Sequence, residues 1–419
     1  MFSGSTRGMA ETWRPLVGVG LACLFFGYGF LLRVSPSVMV NDLMRDFAVG
    51  ATLLGNLSAI YLYVYAALQI PIGVLLDRLG ARPLLAAACL VVAAGSYLFA
   101  TSETISSAYL GRFLIGVGCA FRWPGLLAII GHWFATRFAL FTGFGQVAGM
   151  AGGVLAQAPL AAVVGVYGWR QAVTVLAAVG VAVAVSIALF APGRLGGRAR
   201  TSVGRAGLRH VMQNPQTWWA AVFGLAMTGP ILAFAGLWGV PFVMTVYGAE
   251  RTTAAGVMSL MFVGSGLGAV LLGWWSDRIG RRKPVMLAGS LLCAAMLMIA
   301  LYAPNLPLHL LSVAIFLLGV GGSSLLFSFA VGREHNTPAT SGRAIGIINM
   351  AVVGSGALFQ PLIGLILDSQ WTGAFADGVR AYSMADYRLA MGVLPAAALG
   401  GIIALVRIKE TYCRQISAA

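Results

Sequence analysis

Charge is scarce in this chain: Asp, Glu, Lys and Arg make up 9% of its 419 residues, while 59% are hydrophobic. A soluble domain carries roughly a quarter charged residues, so water is excluded as the main solvent of this surface and a bilayer takes its place. Acids are scarcer still. All twelve fall near the ends of apolar runs: Glu11, Asp77, Asp277, Glu334 and Glu410 on one side, Asp42, Asp46, Glu103, Glu250, Asp368, Asp377 and Asp386 on the other. With none deep in a run, proton coupling through a buried carboxylate relay has no support. The five cysteines (Cys23, Cys89, Cys119, Cys293, Cys413) show neither disulfide nor metal-ligand spacing, and His132, His210, His309 and His335 do not cluster. No metal and no cofactor are expected. No nucleophile–base constellation is present either, which argues against an enzyme.

Lysine is nearly missing, with Lys283 and Lys409 against twenty-five arginines, a bias typical of a GC-rich bacterial genome. The net charge of +15 raises the question of nucleic acid. The basic residues lie in short loops, without a basic helix face or an aromatic platform, and nucleic acid is excluded as a partner. No secretory signal is read either. Arg7 and Arg14 precede an apolar run too long for one and without a cleavage site, so that run stays as helix 1.

What the chain has is apolar runs of about 20 residues, each long enough to cross a ~30 Å hydrocarbon layer as helix. Six lie near 16–40, 52–76, 84–101, 107–131, 138–166 and 170–192, and six near 217–240, 254–275, 284–303, 308–331, 343–367 and 388–406. They are numbered helices 1 to 12. No alternation of apolar and polar residues runs through them, which excludes a barrel. The segments on the side of residue 1 hold 19 of the 27 Lys and Arg, and the opposite side five. The positive-inside rule therefore puts both termini in the cytoplasm. The longest connection, 193–216, carries Arg194, Arg198, Arg200, Arg205 and Arg209 and no acid. It is read as a basic linker between a six-helix half at 1–192 and another at 217–419, and as a contact for anionic lipid.

The remaining three basic residues, Arg33, Arg112 and Arg122, fall inside apolar runs. An intramembrane arginine costs at least ~2.5–3.5 kcal/mol on insertion scales, so each needs a partner or a task. Without buried acids to pair with, they make the interior electropositive and favour an anionic or zwitterionic solute. The alternative for Arg33 is snorkelling to the interface to pair with Asp42 or Asp46. Helical rise places Arg33 and Arg122 at different depths, as two stations along a path. Pro124, two residues after Arg122, is expected to bend helix 4. Tyr28, Tyr65, Gln69, Gln146, Asn349 and Gln360 are candidates to complete a binding site. Trp238, between Gly236, Gly239 and Pro241, marks a broken stretch of helix 7 suited to a gate.

The chain also repeats itself. Gly73-Val-Leu-Leu-Asp77-Arg78-Leu-Gly80-Ala-Arg82 follows helix 2, and Gly273-Trp-Trp-Ser-Asp277-Arg278-Ile-Gly280-Arg281-Arg282 follows helix 8. Duplicated halves related by an axis along the membrane normal belong to one transporter architecture. Both copies resemble loop signatures of the major facilitator superfamily, and Arg112-Phe-Leu-Ile-Gly116-Val-Gly118 resembles its helix 4 motif. The family's helix 5 antiporter signature, with its Gly-Pro pair, is not reproduced, since Met150 follows Gly149.

The resemblance implies an all-α membrane protein of twelve helices in two pseudo-symmetric halves, a monomer in a bacterial inner membrane. Such a protein moves a small polar solute by alternating access. It also implies a latch in which Asp77 meets the start of helix 11 near Arg343, and Asp277 the start of helix 5 near Arg137. The stretch before Arg33 (Phe26-Gly27-Tyr28) resembles helix 1 of organophosphate antiporters, though helix 7 lacks their second arginine. An organic anion or a zwitterion such as an amino acid or dipeptide fits best. Metal-chelate uptake, drug efflux and a non-transporting sensor or assembly role remain alternatives.

Overall fold

The structure is a computed structural model and describes residues 7–191, 205–338 and 340–415. The side chains of 7–12, 70, 73, 74, 77, 139 and 205–208 lie outside that description. Among the described residues, twelve helical spans are long and apolar enough to cross a membrane. The first six are Trp13–Val38, Ala51–Gln69, Ala81–Ala100, Ile105–Trp133, Leu140–Tyr167 and Trp169–Phe190. The second six are Pro215–Tyr247, Arg251–Ile279, Lys283–Tyr302, Leu308–Glu334, Ser341–Gln370 and Met384–Arg407. The twelve expected helices are present with ends shifted by a few residues. The described end of the linker forms a further short helix, Arg205–Gln213.

Because the spans alternate in direction, residues 7 and 415 share one face, here the terminal face; the other is the distal face. Helix 2 runs on past its apolar span to Leu79, and helix 8 ends at Ile279. Each stops at a glycine with positive φ, Gly80 at 80° and Gly280 at 64°, a conformation that strains any residue with a Cβ. The duplicated motif therefore ends both helices at a positive-φ glycine, with ψ of 159° at Gly80 and 25° at Gly280.

Two helices depart from regular α geometry, and both departures bear on the site. Helix 4 breaks between Cys119 and Arg122, immediately before Pro124. Helix 7 widens into a π-helix over Pro230–Trp238, the kind of irregularity found at functional positions. The expected break thus lies mostly before Trp238, starting at Pro230.

Helices 2 and 11 pack along one another, as do helices 5 and 8, and these two seams join helices 1–6 to helices 7–12. Helix 7 meets helix 1 through its π-helical segment, whereas its Pro215–Gly229 part packs on helices 10, 11 and 12 of its own set. The two sets are therefore held together toward the distal face.

Candidate functional site: a carboxylate-free arginine cluster

Helix 1 presents Phe26 and Phe30 on the face that meets helix 4. Arg122 lies over Phe26 (5.1 Å from guanidinium carbon to ring centroid), Phe30 (5.9 Å) and Tyr65 (5.7 Å), and its Nη1 donates to the Phe26 carbonyl at 3.3 Å. Arg33 sits over the same Phe30 ring at 4.0 Å. The two guanidiniums therefore share one aromatic platform, where rise arithmetic had separated them. Helix 4 changes course just before Arg122, and each long side chain reaches along the helix, so Cα depth does not fix charge depth.

Arg112 completes the group: Nη1 donates to the Leu32 carbonyl at 2.8 Å, and the guanidinium lies 5.4 Å from the Tyr61 ring. Helix 4 packs closely on helix 2 in this stretch, since a Cβ on Gly116 would lie 2.9 Å from the Tyr61 carbonyl oxygen. Gly118, the last residue of that motif, packs against Ala88 of helix 3. Arg112 and Arg122 are each only 1% exposed. Among the described residues none of the three arginines forms an ion pair. Their Nε atoms, and Nη2 of Arg112, are buried without a hydrogen-bond partner. The two acids within snorkelling reach of Arg33 are taken elsewhere: Asp42 pairs with Arg45 and Arg251, and Asp46 with Arg45 and Arg170.

Two like charges a ring apart repel by roughly 2 kcal/mol at an effective dielectric of 20. A desolvated guanidinium with idle donors adds a larger penalty. The faces of the aromatic rings offset part of this through cation–π attraction. The remainder is uncompensated positive charge in the interior.

The other candidate residues divide into four groups. Tyr65 belongs to the cluster, under Arg122 and stacked on Tyr61 at 6.3 Å. Gln69 and Asn349 meet each other across helices 2 and 11 at 3.4 Å, and Gln146 is half-buried on helix 5. Tyr28, by contrast, turns to helix 6, where its hydroxyl donates to the Leu176 carbonyl at 2.8 Å. It braces helix 1 and does not face the arginines.

Trp238 and Gln360 meet at a buried junction of helices 5, 7 and 11. Trp238 is fully buried and donates from Nε1 to the Gln360 carbonyl at 2.9 Å. The Gln360 amide donates to the Leu232 carbonyl at 2.7 Å, and Gln157 of helix 5 donates to the Ala235 carbonyl at 2.8 Å. Both acceptors lie in the π-helical segment, so side-chain amides from helices 5 and 11 satisfy backbone that the wide coil presents sideways.

Two polar links join the two sets at the distal face above this junction; the sequence alone presents Asp368 as a loop charge and Asp42 as a candidate partner of Arg33. Asp42 in the distal extension of helix 1 meets Arg251 at the start of helix 8 at 2.8 Å. Asp368 at the end of helix 11 accepts from the backbone N–H groups of Ala51 (3.1 Å) and Thr52 (2.8 Å) and from the Thr52 hydroxyl (2.6 Å). Helix 2 has Gly50 at its N-cap and no capping side chain of its own. Asp368 supplies the cap from the other set of helices and complements the positive end of the helix dipole. A Cβ on Gly50 would come within 2.6 Å of that carboxylate. The signal in the sequence was a helix start at Gly50-Ala51 with nothing local to satisfy it.

The loop after helix 11 folds back as a strap, with a two-residue hairpin pairing Phe375–Ala376 to Val379–Arg380. Arg380 reaches Asp368 at 3.0 Å, and the Tyr382 hydroxyl donates to it at 2.6 Å.

At the terminal face Asp277 is 72% exposed by side chain and pairs with Arg282 at 2.8 Å within its own motif. Arg282 also holds Glu334 at 3.0 Å. Arg137, at the start of helix 5, is exposed, and Arg343, at the start of helix 11, is half-buried. Arg78 and Arg278 are exposed, the latter 5.6 Å from the Trp274 ring, and Arg82 donates to the Ala188 carbonyl of helix 6 at 3.0 Å. Gly273 has open space around it. The surroundings of Gly73 and Asp77 lie outside the described residues.

The family model for the Major Facilitator Superfamily matches residues 19–250 and 231–411. A putative tartrate transporter of Agrobacterium vitis is 24% identical over 88% of this chain and 87% of its own length. The membrane sensor protein UhpC of Escherichia coli (strain K12) is 22% identical over 87% of this chain and 88% of its own. Among solved structures, a bacterial homolog of the human lysosomal transporter Spinster, inward-facing and unoccupied, superposes with a TM-score of 0.76 at 17% identity. That match covers 96% of this chain and 97% of the other. A point mutant of the nucleoside transporter NupG gives 0.77 at 15% identity, covering 94% and 99%. Twelve apolar helices, a duplicated motif and a family match over nearly the whole chain agree: the protein belongs to the major facilitator superfamily, a multi-pass membrane protein whose work is transport of a small solute and not catalysis.

Proposed function

We propose that the protein carries a small organic anion, with one or more carboxylates or a comparable acid group, across a bacterial inner membrane by alternating access. The observation that carries this reading is the pair of guanidiniums, Arg33 and Arg122, on one Phe30 ring with no ion-pairing acid and with idle Nε donors. A carboxylate is the natural partner for such a fork of donors. The relatives support an acidic solute: besides the tartrate transporter, they include a probable sulfoacetate transporter of Cupriavidus necator (24% identical over 41% of this chain). Tyr65, Gln69, Gln146 and Asn349 would contact the neutral part of the solute in this reading.

In this reading the terminal face is cytoplasmic, as the loop charges require. The closed distal gate then makes this an inward-facing form. The halves 1–192 and 217–419 rock about the cluster, joined by the basic linker 193–216. Asp77 and Asp277 close the cytoplasmic side when the distal gate opens.

The test is thermal stability of the purified monomer with dicarboxylates, sugar acids, sulfonates and amines. A ligand at 100 times its Kd adds ~2.7 kcal/mol of stability. Stabilisation by an organic acid, lost in Arg33→Ala and Arg122→Ala while both variants still fold, is the expected outcome. Stabilisation by amines alone, or an unchanged response in both variants, rejects the reading.

A further inference from the structure

A large recess in the described surface lies away from the arginine cluster. It lies at the distal ends of helices 9, 11 and 12 and has a volume of about 1030 Å³. Its walls are Ile366, Leu389, Val393 and Ala396, and Tyr302 and Arg388 stand at its polar end. The recess opens sideways from the bundle. Leu389 is exposed, and exposed Ile299, Leu399 and Ile403 follow on helices 9 and 12. These residues form the apolar belt that faces hydrocarbon.

Arg388 is unlike the other basic residues of this face. Arg45, Arg170, Arg251 and Arg380 all pair with Asp42, Asp46 or Asp368. Among the described residues Arg388 makes no ion pair, and its Nε is buried without a hydrogen-bond partner. The neighbouring acid, Asp386, is engaged in the capping box with Ser383 that starts this helix. The Tyr302 hydroxyl donates to the Arg388 backbone carbonyl at 3.0 Å and so ties the ends of helices 9 and 12 together.

We infer that this recess holds one phospholipid of the distal leaflet, its phosphate at Arg388 and an acyl chain along Leu389, Val393 and Ala396. A soluble anion satisfies the arginine but leaves the apolar walls wet. A pure hydrocarbon fills the walls but leaves the cation unpaired. A phospholipid meets both needs at the depth where head group gives way to tail. The site also bears on the gate. Ile366 in its wall lies two residues before Asp368, so an occupied recess braces the segment of helix 11 that caps helix 2. Bound lipid then favours the distal-closed form.

The test is native mass spectrometry of the full chain released from gentle detergent, with phosphatidylglycerol or phosphatidylethanolamine added back. The wild type is expected to retain one phospholipid. Arg388→Ala and Ala396→Trp are expected to lose it at least tenfold more readily, while Arg388→Lys keeps it. Elution as a single monodisperse peak shows that each variant is folded. Retention unaffected by Arg388→Ala overturns the proposal. So does displacement of the bound mass by excess inorganic phosphate, which makes the site one for soluble anions, and so does the absence of any retained lipid in the wild type.

Discussion

Two carboxylates in this protein each cap a helix that begins without a capping side chain of its own, and they differ in what they join. At the distal face Asp368 of helix 11 caps helix 2, in the other set of six helices. At the terminal face Glu410, just after helix 12, caps helix 9 by accepting from the N–H groups of Arg282 (2.9 Å) and Lys283 (3.0 Å), all within one set. The physical device is the same. The consequence is opposite: a cap across the seam must break whenever the seam opens, and a cap within one set can persist through the cycle. In the proposed cycle the distal cap acts as a gate and the terminal cap as a fastening.

Breaking the cross-seam cap has the largest expected effect. Asp368→Ala strands two helix N–H groups, a hydroxyl, Tyr382 and Arg380 at once. Removing one partner from such a group costs ~1–3 kcal/mol. About 2 kcal/mol in favour of the distal-open form multiplies its population roughly 30-fold. A cysteine at Ala235, behind the gate and fully buried, reports this in a background free of native cysteines. Its labelling by a membrane-impermeant maleimide from the distal side should rise by that order. Unchanged labelling means that Asp368 does not hold the gate.

The second cross-seam link is weaker. Arg251 meets Asp42 as a partly exposed ion pair, with side chains 26% and 11% accessible, and such pairs contribute ~0.2–1 kcal/mol. Arg251→Ala should raise labelling at the same cysteine by less than about fivefold. If the two links hold one seam independently, Asp368→Ala and Arg251→Ala add in free energy. A double variant no more open than Asp368→Ala alone shows that the Asp42 link is incidental.

The same contrast explains what could be read from the sequence. Hydropathy gave the twelve spans because the bilayer imposes their length, and the repeated motif gave the two copies because both helices end at a positive-φ glycine. The three arginines were legible as charges without partners. Their meeting on Phe30 was not, because rise arithmetic treats helix 4 as straight and a side chain as a point. The distal cap was hidden for another reason: Asp368 and Ala51 lie more than three hundred residues apart, and local reasoning sees only a loop acid and a bare helix start. The placement of Tyr28 against helix 6 was equally out of reach, since which face of helix 1 meets which neighbour is a property of the bundle.

The smallest effect on the gate belongs to the fastening at the terminal face. Partial burial pushes the Glu410 carboxyl up, but the N–H groups of Arg282, Lys283, Thr411 and Tyr412 outweigh it and bring the group below the ordinary carboxylate range. A depressed folded-state pKa means that the ionised carboxylate stabilises the fold above the unfolded value of about 4.3. This contribution fades as pH falls through the lower folded-state value. Glu410→Gln should therefore cost ~0.5–1 kcal/mol of thermal stability at neutral pH, and the gap from wild type should close in acid below about pH 4. Labelling at the Ala235 cysteine should not change, because this cap joins nothing across the seam. If Glu410→Gln opens or closes the distal gate, the division into crossing and non-crossing caps fails, and the helix 9 end must move with the gate.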